Sequence, residues 1–82
     1  MDFAKHVKIR KEKFGSVIFE TLREKVFVTN TTGSDILRLI GEGKALNEII
    51  EILSDEYNED PANIDQEVVS FIDELKENDI LI

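Results

Sequence analysis

The stretch Lys25-Val26-Phe27-Val28-Thr29-Asn30-Thr31-Thr32-Gly33-Ser34-Asp35-Ile36-Leu37-Arg38-Leu39-Ile40-Gly41 decides the fold, because the hydrophobic period changes inside it. Lys25 to Thr29 is rich in β-branched and aromatic residues, the composition of a strand. After it, Ile36, Leu37, Leu39 and Ile40 recur at helical spacing. Asn30-Thr31-Thr32 supplies side-chain oxygens that can accept from the free amides of a first helical turn. Gly41 and Gly43 end the helix. A strand therefore passes directly into a helix, and this strand is the last of its sheet.

Toward the amino end, Val17-Ile18-Phe19-Glu20-Thr21 is a second β-prone run, separated from the first by Leu22-Arg23-Glu24. Two such runs around a short polar turn predict a hairpin. Val7 and Ile9 alternate with Lys8 and Arg10, which predicts another strand, with a turn at Phe14-Gly15-Ser16. Toward the carboxyl end, Leu46, Ile49, Ile50, Leu53 and Tyr57 predict a second helix. Glu48 stands where a capping-box acid belongs, but Ala45 cannot supply the reciprocal oxygen. Asp60-Pro61 marks a third helix start, with Ile64, Val68, Phe71, Ile72 and Leu75 as its core stripe. Asn78 or Asp79 stops it, and Ile80-Leu81-Ile82 is a short apolar tail. The expected order is β-β-β-α-α-α. Residues 1–82 form one α+β domain, a three-stranded antiparallel sheet followed by three helices.

Composition narrows the chemistry. The chain has 82 residues, 41% of them hydrophobic, enough for one small core and too many for a disordered segment. It has no cysteine and a single histidine, so disulfides, thiolate metal sites and cysteine catalysis are excluded. His6, near the amino end, reads as solvated. The acidic pairs Asp55-Glu56 and Glu59-Asp60 lack the glycine and ligand spacing of a calcium loop. Gly41-x-Gly43 lacks a phosphate-loop continuation. No nucleophile, base and orienting group can be assembled, so neither catalysis nor a cofactor is expected. No apolar run is long enough to span a membrane and no apolar signal segment opens the chain, so a cytoplasmic location is expected.

The net charge of −8 is unevenly spread. Residues 1–27 carry seven basic side chains against four acidic ones, +3, and the rest carries three against fourteen, −11. The basic cluster Lys8, Arg10, Lys11 and Lys13 reads as a solvated strand face that can also attract an acidic peptide or enzyme surface.

Three passages, Lys25 to Thr32, then Ile36-Leu37-Arg38-Leu39-Ile40-Gly41 with Glu48-Ile49-Ile50, then Val68-Val69-Ser70-Phe71-Ile72-Asp73-Glu74-Leu75 ahead of Asn78-Asp79-Ile80-Leu81, together resemble the PqqD family. The resemblance covers roughly residues 7–82. It implies a winged-helix-like fold that recognises the leader of a ribosomally made precursor peptide and presents it to a modifying enzyme, often a radical S-adenosylmethionine (SAM) enzyme. Two positions depart from the family pattern. Thr29 stands where leucine is usual before Asn30, and Ala45 where a threonine cap is usual.

A peptide that docks by strand addition needs a sheet edge with unpaired backbone groups and an apolar groove beside it. The expected edge is Lys25, Val26, Phe27, Val28 and Thr29. The expected opposite wall is a row flanking the stripe of the last helix, Asp65, Val69, Ile72 and Lys76. The same edge is the expected route to a homodimer. Two rival readings remain. A winged helix can bind DNA, yet Asp65, Glu67, Asp73, Glu74 and Glu77 against Lys76 would repel phosphate, so no nucleic-acid partner is expected. An acyl carrier would use Ser34 at a helix start, but the aspartate directly before it is missing and the strand-rich first third does not fit a helical bundle.

Overall fold

The computed structural model describes residues 1–82. Its strands are β1 (Val7–Glu12), β2 (Gly15–Glu20) and β3 (Lys25–Thr29), and its helices α1 (Thr31–Gly41), α2 (Leu46–Tyr57) and α3 (Pro61–Glu77). The strands pair antiparallel in the order β1-β2-β3, so β1 and β3 are both edges.

Gly15 and Ser16 open β2 instead of forming the expected turn, which falls on Lys13 and Phe14. Pairing overrides local turn propensity here. Gly15 has φ +150°, and a Cβ on it would lie 1.9 Å from the Thr29 carbonyl oxygen. Only glycine lets β2 begin so close to the end of β3. Ser16 N–H donates to Thr29 Oγ1 at 3.1 Å, and the Ser16 and Ser34 hydroxyls bond to each other at 2.6 Å. The threonine at the leucine position thus joins a buried polar junction between β2, β3 and α1.

Register sorts the side chains. Lys8, Phe19 and Val26 lie in one cross-strand row and Arg10, Val17 and Val28 in the next, on the sheet face turned away from the helices. Ile9, Ile18 and Phe27 form a row on the helix-facing side, where Ile18 is fully buried.

α1 and α3 start at capping side chains. The Asn30 side chain accepts from Gly33 N–H at 2.9 Å, and Asp60 accepts from Ala62 N–H at 2.9 Å ahead of Pro61. At α2 only half a capping box forms, because Glu48 accepts from Ala45 N–H at 3.0 Å and alanine returns nothing. The core joins Ile36, Leu37, Leu39 and Ile40 of α1 to Ile49 and Leu53 of α2, and to Ile64, Val68, Ile72 and Leu75 of α3. Ile80 and Leu81 complete it, held by Ala4 N–H on Ile80 C=O at 2.9 Å and a Phe3–Leu81 bridge. Phe71, expected inside, is half-buried and packs against the core from its margin.

Tyr57 at the end of α2 donates its hydroxyl to the Asp35 carboxylate of α1. Burial first, and then that carboxylate, pushes the phenol up to about 12. No helix is long and apolar enough to cross a membrane.

Candidate peptide-docking site

The outer edge of β3 pairs with no strand, and the chain leaves it directly for α1. α1 packs on β2, whereas α3 packs mainly on α2. Two tethers fix α3 alongside β3. Arg23, in the turn before β3, forms a salt bridge with Asp79, just beyond α3. At the other end, a Cβ on Gly33 would lie 2.8 Å from Thr29 Cβ and 3.2 Å from Phe71 Cε1, so Phe71 sits against the β3–α1 junction. The carboxyl half of α3 therefore runs antiparallel to β3. The two lengths are comparable: Phe71 to Glu77 spans about 9 Å of helix, with Asp79 just past its end, and Lys25 to Thr29 about 13 Å of strand.

A buried carboxylate holds the first tether. Glu20 is 1% exposed, and it accepts from Leu22 N–H at 3.0 Å and from Arg23 N–H at 3.1 Å. His6 Nε2 lies 3.3 Å from the same carboxylate, so His6 is an internal neighbour of Glu20 and not the solvated residue expected. These contacts fix the β2–β3 turn and with it the direction in which Arg23 reaches Asp79.

The expected site residues divide. Within β3, Phe27 points to the helix side and is half-buried against the core. Val26 and Val28 point the other way, 59% and 67% exposed, so their side chains do not line a groove beside α3. Lys25 is exposed at the turn end, and Thr29 is buried in the junction with Ser16. On α3, Ile72 is 3% exposed and part of the core, so it is not free to receive a peptide anchor. Asp65 and Lys76 are exposed and Val69 is half-buried. At about 100° per residue, Val69 and Phe71 point about 160° apart around the helix, so they cannot line one wall. The flank against β3 is the one that carries Phe71, with Glu67, Glu74 and Asn78 at spacings of four, three and four along it. Sequence periodicity identified the stripe but not which of its flanks met the sheet.

A separate cavity of about 220 Å³ opens at the far side of the sheet, between Ile9 and Lys11 of β1 and Leu37 and Arg38 of α1. Arg38 is already engaged, with Glu56 at 3.1 Å and Glu42 at 3.5 Å.

A three-stranded sheet whose last strand is an open edge beside the last of three helices defines a winged-helix-like α+β domain. The family model described as Coenzyme PQQ synthesis protein D (PqqD) matches residues 15–81, and the chain belongs to that family. Among solved structures it is similar to "TbiB1 in Complex with the TbiA(beta) Leader Peptide", at 23% identity and a TM-score of 0.91, over 99% of this chain and 94% of the other. It is also similar to "Lasso peptide synthetase B1 complexed with the leader peptide", at 16% identity and a TM-score of 0.89, over 99% and 95%. At these identities the likeness is one of fold. No curated protein sequence matches the chain.

Proposed function

We propose that this protein is a non-catalytic binding domain that takes up the leader of a ribosomally made precursor peptide and presents it to a modifying enzyme. The observation that carries this reading is the unpaired edge of β3 lying alongside α3. Membership of the PqqD family supports it, as do two similar folds described in complex with leader peptides.

In this reading the leader adds as a fourth strand on Lys25 to Thr29, whose backbone sets the register. Its inward side chains rest between Phe27 and Phe71. Burying one large apolar anchor there contributes about 1.5–3 kcal/mol. The side chains of Val26 and Val28 stay outside the groove, so β3 contributes mainly backbone. The exposed Asp65 and Lys76, with Val69, belong to the opposite flank of α3 and contribute no anchor contact. The enzyme partner is read as a radical SAM enzyme, as the family resemblance implies. Edge pairing of two copies through β3 would compete with the leader for the same backbone groups.

The DNA-binding reading is disfavoured by the five acids of α3 against one lysine. A fluorescently labelled leader, taken from a precursor encoded beside this chain's gene, provides the test. Saturable binding that is weakened about tenfold or more by Phe71→Ala with the fold retained supports the reading. Equal affinity for a scrambled leader overturns it.

A further inference from the structure

Resting on the leader-binding reading, we propose that the segment held in the β3–α3 groove carries a Lys or Arg two residues from its apolar anchor, selected by Glu67 and Glu74. Both carboxylates are exposed and belong to the flank of α3 that bears Phe71. Neither takes part in any of the ion pairs of the molecule, which join His6 to Glu20, Arg10 to Glu12, Arg23 to Asp79, and Arg38 to Asp35, Glu42 and Glu56. On the Glu74 side, β3 offers one cation, Lys25, at its turn end. Arg23, the nearest other cation in sequence, is held by Asp79. The helix wall of the groove is therefore a rim of uncompensated negative charge around an aromatic floor.

The spacing sets the pattern. Glu67 and Glu74 lie about 6 Å and 4.5 Å along the helix axis on either side of Phe71. Alternate residues of an added strand are about 7 Å apart and point to the same side. An anchor seated on Phe71 thus puts its second neighbours on that side beside the two carboxylates, within reach of a long basic side chain. Glu74 lies on the stretch of α3 that runs beside β3, partly offset by Lys25, whereas Glu67 lies one turn beyond Phe71, past the end of β3, and meets a peptide that continues beyond its paired strand. An acid in either place meets like charge, which excludes wrong peptides as well as favouring right ones.

Selection of short random peptides displayed on phage, against the full-length protein and against its Glu67→Lys/Glu74→Lys variant, tests this directly. The expected pool from the parent is enriched in basic residues two positions from an apolar residue, and the pool from the variant in acidic residues there. A Lys→Glu change in a selected peptide should weaken binding to the parent by about three- to tenfold, and the variant should reverse that preference. Peptides that shift the β3 amides in an NMR titration but show no charge preference, or the same one in both pools, overturn the charge selection alone. Selected peptides that leave the β3 amides unshifted overturn the leader-binding groove itself. Both substituted positions are exposed, and a matching thermal melt verifies that the variant is folded.

Discussion

The two flanks of α3 come from one helix and share one buried stripe, yet they meet different surroundings. The Phe71 flank is held against the β3–α1 junction, with Arg23–Asp79 closing the far end. The Val69 flank, about 160° away around the helix, has no comparable tie to the sheet. The difference lies in long-range contacts and not in composition, since both flanks mix one apolar residue with exposed charged ones. Of the two faces, only the Phe71 flank has an unpaired backbone edge beside it.

The sharpest way to break that contrast is to remove what both flanks rest on. Ile72→Ala deletes a buried side chain of the shared stripe and should cost about 2–5 kcal/mol, most of the stability of a domain this small. A chemical denaturation curve with an unshifted midpoint would contradict its core placement. Glu20→Ala attacks only the Phe71 side, through the β2–β3 turn. It strands the amides of Leu22 and Arg23 and should destabilise by about 1–3 kcal/mol. The same variant should loosen Arg23 from Asp79, read as faster hydrogen exchange at Leu22, Arg23 and Asp79.

A matched pair separates the flanks by function. Phe71→Ala should weaken leader binding by about tenfold or more, on the order of 1.4 kcal/mol. Val69→Ala should leave the affinity within about twofold. Calorimetric titration of both variants decides it, and the reverse order of effects would return the wall to the row Asp65, Val69 and Lys76.

The smallest effect lies away from both flanks. Tyr57 is the one tyrosine of the chain, so its absorbance titration is free of overlap. Its folded pKa of about 12 is raised above the ordinary value of 10.0, so the neutral phenol stabilises the fold below pH about 10. That contribution is lost as the pH rises from about 10 through 12, and Tyr57→Phe should flatten this alkaline loss. A midpoint near 10 in the folded protein would contradict both the burial of the phenol and its bond to Asp35.

The sequence carried the element order because each element is written locally. The period switch at Asn30, the Asp60-Pro61 start and the glycines after α1 all act within a few residues. Gly15 and Ser16 misled because glycine and serine favour turns, and only the approach of Thr29 makes them strand residues. Ile72 and Phe71 are neighbours in one stripe, and periodicity ranks both as core. Phe71 sits at the margin, beside Gly33, far away in the chain, and no local signal marks that contact. Arg23 and Asp79 stand 56 positions apart, and neither has a local signal. The Glu20 clamp was likewise hidden, since a glutamate at a strand end reads as solvent-facing until the turn folds over it.

If the leader pairs with β3, the sheet's other free edge, β1, stays unpaired. Hydrogen exchange of the full-length protein, with and without saturating leader, measures this at single amides. Protection should rise at outward-facing amides between Lys25 and Thr29, while those of Val7 to Glu12 exchange as before. Protection that appears along β1 with β3 unchanged would contradict it.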